Sequence, residues 1–185
     1  PKSEIHSFEP SKLNFSYLNY HALQRNNIIT YNFGLHYEND VSNLSFPSSL
    51  QNPSINKARD NTGLLSMFGS NIDFSEKIKL TTLDESVFNK QKPIKNVEFI
   101  KFDIEGNELN ALKGSSETIK FFNPTLEIEV NEHALKMAES TPKQLMSYVK
   151  SLGYNSYIYN GNKLEKISYL EGKIQNVIFI SRKRG

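Results

Sequence analysis

Apolar positions fall into short strand-like runs separated by helical patterns, and the clearest junction lies between Val97 and Glu108. The run from Val97 to Ile104 stops in Asp103, Glu105, Gly106 and Glu108; Leu109, Leu112 and Ile119 then recur at helical spacing. Such a buried strand, ending in acids and turning into a helix, is how open α/β sheets present ligand groups. Upstream, Ile5–Phe8 reads as a strand. Ser11 is placed to cap a helix carrying Leu13, Phe15, Tyr17, Leu18, Ala22 and Leu23, and Ile28–Phe33 is a second strand stopped by Gly34. Further strands are expected at Ile78–Leu83, Val97–Asp103, Thr125–Val130, Tyr154–Tyr159 and Ile174–Ile180, the last two around the turn Asn160-Gly161-Asn162. Helices are expected from Asp84 to before Lys92-Pro93, from Glu108 to Phe122 with a weak middle at Gly114, and from Pro142 to Leu152 behind a Thr141 cap. Residues 36–76, rich in Asn, Ser and Pro, read as hairpin-like strands and a long loop, with Asn61-Thr62-Gly63 as a turn. This alternation predicts an α/β fold: a mostly parallel sheet, helices on both faces, and an antiparallel C-terminal strand.

Length and charge narrow the class. A chain of 185 residues is expected to form a single domain over 1–185 with a real core. A net charge of +2, without a basic stripe interleaved with aromatics, argues against nucleic acid as a partner. There is no cysteine, hence no disulfide framework or thiolate metal site. No apolar run has the length of a membrane span and no signal peptide opens the chain, so a cytoplasmic protein without a membrane partner is expected. The chain opens at Pro1 and enters a strand almost at once, which looks like a cut inside a larger domain.

The candidate chemistry is carboxylate chemistry. Asp103, Glu105 and Glu108 crowd into six residues, which is unfavourable unless something compensates them. Glu9 follows one strand and precedes a helix, where an acid can accept both hydroxyls of a ribose; equally, it can serve the N-terminus of that helix. Glu105 and Glu108 have the same helix-terminus alternative. Glu127 and Glu129 alternate along one strand and share a face; Glu129 joins the Asp103 cluster if the two strands are neighbours, and otherwise marks an exposed edge. His6, His21, His36 and His133 lack ligand spacing and read as structural or surface residues. No Ser-His-Asp order and no phosphate-binding GxxxxGK[ST] is present. Hard oxygen ligands suit Mg²⁺, but no metal site is assigned.

Ile5-His6-Ser7-Phe8-Glu9-Pro10, Thr81-Thr82-Leu83-Asp84, the IKFDIEGNELNALKGS stretch from Ile100, and Pro124 through Glu129 together resemble the FkbM-type methyltransferases, in order and spacing, from Ile5 to about Tyr154. The resemblance implies a Rossmann-like methyltransferase sheet and transfer of a methyl group from S-adenosylmethionine to a hydroxyl of a small molecule or glycan. It places Glu9 and Pro10 at the cofactor ribose, Gly34 and Leu35 near the adenine, and Asp103 at the methionine end beside the transferred methyl. Glu105, Glu108 and Glu129 match recurrent acids of the family. The family's glycine-containing loop and first strand, ahead of its Phe-Glu-Pro strand, have no counterpart here. The resemblance then implies that this chain alone binds the cofactor poorly, and that the strands flanking the gap close on each other or take a segment from another chain, which favours a homodimer.

Methyl transfer needs an oriented cofactor and a group to take the acceptor's proton, and a partly buried carboxylate suits the second task. Asp103 is the first choice as base, Glu129 the second, with Glu105 beside them. Two rivals stand: a non-catalytic binding or structural fragment, and a dinucleotide-dependent oxidoreductase, against which the lack of GxGxxG counts.

Overall fold

The computed structural model describes residues 3–47, 67, 72–170 and 174–183. The chain forms two compact units, Pro1–Thr81 and Thr82–Gly185. Among the described residues no helix is long and apolar enough to cross a membrane.

In the first unit, strand β1 (Ile5–Phe8) leads through helix α1 (Lys12–Ala22) to β2 (Ile28–Tyr31). The strands pair in parallel, Ile5 opposite Ile28 and Phe8 opposite Tyr31. The expected Ser11 cap is present: its side chain accepts the Asn14 N–H at 3.4 Å. Thr30 Oγ1 donates to Asn19 Oδ1 at 2.8 Å, tying β2 to the helix. His6 is held between Tyr31 OH (2.9 Å) and Glu4 Oε1 (2.8 Å), in line with its structural reading. A three-stranded sheet follows in the order β3 (Gly34–Leu35), β5 (Ile72–Thr81), β4 (Asp40–Pro47), with β4 antiparallel and β3 parallel to β5. Leu44, Ile78 and Leu80 form its core. The strand expected at Ile78–Leu83 is thus longer and begins earlier. The turn expected at Asn61-Thr62-Gly63 lies outside the described residues.

The second unit runs α2 (Leu83–Val87), β6 (Phe99–Phe102), α3 (Glu108–Lys113), α4 (Ser116–Phe122), β7 (Thr125–Asn131), α5 (Glu132–Met137), α6 (Pro142–Ser151), β8 (Tyr154–Tyr159), β9 (Leu164–Ile167) and β10 (Ile174–Ser181). Its sheet has the order β6-β7-β10-β8-β9. Leu126, Ile128 and Val130 of β7, Val177 and Phe179 of β10, and Leu112, Ile119, Leu135, Leu145 and Val149 from the helices are buried as its core. Each such aliphatic or aromatic side chain contributes about 1.5–3 kcal/mol on burial.

The sheet is mixed, not mostly parallel. Only β6 and β7 pair in parallel; β7 with β10, β10 with β8 and β8 with β9 are antiparallel. The cause is where the last strand inserts. The helical crossovers do keep β6, β7 and β8 running the same way, but β10 enters between β7 and β8 and reverses the pairing on both its edges. The antiparallel C-terminal strand is as expected. The turn at Asn160-Gly161-Asn162 joins β8 to the short β9, with Gly161 at φ 90°, and does not lead directly to β10.

Two further expectations are corrected. β6 is buried on one face only: Ile100 and Phe102 point in, while Phe99 and Lys101 are exposed. The helix expected over Glu108–Phe122 is two, broken at Gly114-Ser115. A carboxylate 33 and 34 residues upstream makes the break tolerable: Asp84 Oδ2 accepts the Glu117 N–H (3.0 Å) and Oδ1 the Thr118 N–H (2.8 Å), while Asp84 N–H donates to Gly114 O (3.0 Å). Those are orphan donors at the start of α4.

Asp84→Ala removes both acceptors, so it should lower stability by about 1–3 kcal/mol. Urea unfolding should show this as a lower midpoint at unchanged slope; an unchanged midpoint would mean that α4 is capped from elsewhere.

Candidate functional site

The register of β6 on β7 sets the acids of the second unit. Lys101 lies opposite Glu127 and Phe102 opposite Ile128, so the next pair along is Asp103 and Glu129. Buried Leu126, Ile128 and Val130 take one face of β7, which leaves Glu127 and Glu129 on the other. The neighbouring-strand condition set for Glu129 is therefore met. Lys101 Nζ reaches Asp103 Oδ2 at 3.0 Å and Glu127 Oε1 at 4.0 Å. Its hydrogen bond to Asp103 is the main reason its ammonium holds its proton more firmly than usual.

Beyond Asp103 the chain makes a tight reversal before α3. Glu105 sits at φ 55° and Gly106 at φ 105°. The left-handed conformation costs a non-glycine residue about 1–3 kcal/mol, so the surroundings must impose it. Glu108 is 2 % exposed and folds back over the loop; its Oε1 accepts the N–H of Ile104 (3.1 Å) and of Gly106 (3.2 Å). Its Oε2 is buried without a hydrogen-bond partner. Gly106 is wedged against α5: a Cβ there would run into the Ala134 carbonyl oxygen and lie 2.8 Å from its carbonyl carbon.

All three glutamates bind protons more tightly than usual. Burial is the leading cause for each. For Glu105 the charges of Glu129, Asp103 and Glu108 add to it. For Glu129 Asp103 adds and Lys101 opposes. For Glu108 the backbone N–H bonds oppose and Glu129 adds. The shift is in the direction in which a carboxylate general base is tuned. Among the described residues no three His, Asp or Glu side chains are arranged to hold a metal ion.

In the first unit, the four residues assigned to the cofactor come together. Glu9 and Pro10 close β1, and Gly34 and Leu35 form β3. A Cβ on Gly34 would lie 3.5 Å from Pro10 Cβ and 2.8 Å from Leu80 Cδ2. Asn32 Nδ2 donates to the carbonyls of both Glu9 (2.9 Å) and Pro10 (3.1 Å), locking the strand end. Glu9 Oε1 accepts the Ser11 N–H at 2.8 Å, so the helix-terminus role foreseen as its alternative is realised at one oxygen. Glu76 Oε1 accepts the neighbouring Lys12 N–H at 2.9 Å. Burial pushes the Glu9 carboxyl up, the Ser11 bond opposes this, and the Glu76 charge adds to it.

Sequence reasoning missed Lys101, Asn32 and Glu76. For Lys101 a signal existed: in Lys101-Phe102-Asp103 the charges alternate on one side of the strand and share a face. Nothing local announced Glu76, which meets α1 from 64 positions away.

Comparison with known proteins identifies the family. The family described as methyltransferase FkbM domain matches residues 1–156. The crystal structure of methyltransferase FkbM from Methylobacillus flagellatus KT is similar, with a TM-score of 0.53 and 17% identity, over 96% of this chain and 36% of that one. At that identity the likeness is one of fold, and the chain spans little more than a third of that protein. No curated protein matches the sequence.

Gly106→Ala meets both the φ 105° backbone and the Ala134 carbonyl. It should destabilise by about 1–3 kcal/mol from the backbone alone, with more from the collision, and thermal melting will read the loss. A variant as stable as the parent would show that the loop relaxes freely.

Proton linkage gives a second expectation. Glu9, Glu105, Glu108 and Glu129 keep their protons to higher pH in the folded than in the unfolded chain. Above the ordinary glutamate pKa of about 4.3 the folded state thus binds more protons, and stability must fall as pH rises until the raised values are passed. Glu108→Gln should flatten this decline in urea unfolding between pH 4 and 8, taken as about that span; an equally steep profile would remove Glu108 from the account.

Proposed function

The chain belongs to the FkbM methyltransferase family, and we propose that it takes part in S-adenosylmethionine-dependent O-methylation of a small-molecule or glycan hydroxyl in the cytoplasm. The observation that carries this reading is the gathering of Asp103, Glu105 and Glu129 where β6 and β7 end, with burial raising the proton affinity of both glutamates. The residues present suit the cofactor's parts: a carboxylate for a ribose hydroxyl at Glu9, a half-buried apolar ring for a base at Pro10, backed by buried Leu35, and acids for a cationic group around Asp103. S-adenosylmethionine supplies an electrophilic methyl on a sulfonium.

On this reading the nucleoside is assigned to Glu9, Pro10, Gly34 and Leu35 of the first unit, and the methionine end to the second, by resemblance to the family alone. Asp103, steadied by Lys101, orients the methionine end. Asp103, the first choice as base, carries a partly exposed ion pair with Lys101 through Oδ2. Glu129 and Glu105 are the better placed to take the proton of the acceptor hydroxyl, since burial disfavours their charged forms.

One observation favours a second reading, a binding or structural module. Glu9 already serves the backbone of α1 through Oε1. Calorimetry of the 185-residue chain with S-adenosylmethionine, with methyl transfer to a panel of hydroxyl compounds as a parallel readout, separates the two. If Glu9 holds the ribose, Glu9→Ala weakens binding by about 1.5–3 kcal/mol. Where the parent chain does not bind, a version carrying the family's glycine-containing loop takes its place; unchanged binding with lowered stability assigns Glu9 to the helix alone, and no binding by the loop-bearing version favours the module.

A further inference from the structure

We propose that Glu108 is a positioning residue: its carboxyl group, folded back over the loop that leaves β6, holds Glu105 in the left-handed conformation and so presents Glu105 to Asp103 and Glu129. Besides its own backbone N–H, its carboxyl binds the N–H groups of Ile104 and Gly106, the residues immediately before and after Glu105. One oxygen thus ties the peptide that follows Glu105 to the peptide that precedes Ile104, bracketing the residue whose φ is 55°. Gly106 completes the clamp, because its missing side chain lets the loop press on the Ala134 carbonyl.

The clamp is a costly choice, which argues that it serves more than the turn. Glu108 is buried, and Oε2 has no hydrogen-bond partner. An Asn or Ser within the loop would close such a turn through its own short side chain without burying a carboxyl. What the longer glutamate adds, reaching back from α3, is control over Glu105. The charged groups facing Glu105 are Asp103 beyond β6, Glu129 on β7 and Glu108 itself, and Lys101 of β6 bears on Asp103 and Glu129. The inference rests on the reading of Glu105 and Glu129 as the acids that take the acceptor's proton.

Carboxyl-carbon NMR titration of the intact chain tests the positioning apart from activity. Glu105 and Glu129 should titrate above the ordinary glutamate range in the parent and in Glu108→Gln, whose amide oxygen can accept the same two N–H groups. In Glu108→Ala Glu105 should return towards the ordinary range, while Glu129, raised by its own burial and by Asp103, should stay raised. A raised Glu105 titration in a folded Glu108→Ala chain overturns the proposal. Where methyl transfer is measurable, Glu108→Ala should lower kcat by about a hundred-fold with KM little changed, and Glu108→Gln should restore it; equal losses in both overturn it. A chain without methyl transfer defeats the functional reading yet leaves the titration to decide the positioning. Should Glu108→Ala fail to fold, Glu105→Gly is added, because glycine takes the left-handed conformation freely. A folded double variant supports the clamp, and an unfolded one shows that Glu108 serves the fold alone.

Discussion

The parallel register of β6 on β7 is the constraint on which the second unit depends. With Ile100 opposite Leu126 and Phe102 opposite Ile128, the apolar side chains of both strands share the buried face. A slip of one residue on either strand would turn Glu127 and Glu129, or Lys101 and Asp103, into the core, and burying unpaired charges is far dearer than any gain in pairing. The hydrophobic effect therefore sets the register, and the register delivers the acids. Lys101 comes opposite Glu127, and Asp103 comes beside Glu129, as by-products of where the aliphatic residues must go. No attraction among the acids is required to assemble them.

Carboxylates in this chain also do backbone work. Glu9 and Glu76 serve the start of α1, Asp84 the start of α4, and Glu108 the loop before α3. In each case a side-chain oxygen supplies the acceptor that a helix terminus or tight loop lacks. Two of the family-like motifs are structural in part for this reason. Asp84 of Thr-Thr-Leu-Asp meets α4, and Glu108 of Asp-x-Glu-Gly-x-Glu closes its own loop. Counting acids in a motif thus overstates the number available for chemistry. Among those near β6, Asp103, Glu105 and Glu129 remain.

Local chemistry made much of the fold legible in the sequence. Ser11 before α1 and Thr141-Pro142 before α6 announce caps that the structure contains. The strand ending at Asp103 shows in its apolar run. What escaped reading was set at a distance or was too short to show a period. The break at Gly114 is held by Asp84, far upstream. The place of β10 between β7 and β8 follows from which strands bury Val177 and Phe179, and no local pattern encodes that. The six-residue α5 lacks the length for a helical period; its cap is the last residue of β7, Asn131, whose side chain accepts from His133 and Ala134. The candidate site was legible as residue types, while the pairing of Asp103 with Lys101 needed the strand geometry.

The strain and the desolvation in the loop after β6 belong together. A left-handed Glu105, a buried carboxyl with an idle oxygen, and three acids with raised proton affinity all oppose folding, and they fall within one turn of chain and its neighbouring strand. Natural sequences violate local rules of this kind chiefly where something besides stability is selected. Elsewhere in the second unit β7 alternates cleanly, α6 is capped and begins with proline, and Tyr154, buried, finds Pro124 O at 2.8 Å, while Asn123 and Glu139 are also left-handed and Thr118 Oγ1 and Gln175 Oε1 are also buried without a partner. What sets Asp103–Glu108 and Glu129 apart is that a left-handed residue coincides there with buried acids of raised proton affinity. A scaffold role alone would be better met by neutral residues there, whereas proton transfer needs carboxylates whose charge the surroundings only partly tolerate. That asymmetry within one sheet is the physical ground for looking to this loop, and not to the better satisfied acids at Glu9 and Asp84, for the group that handles the proton.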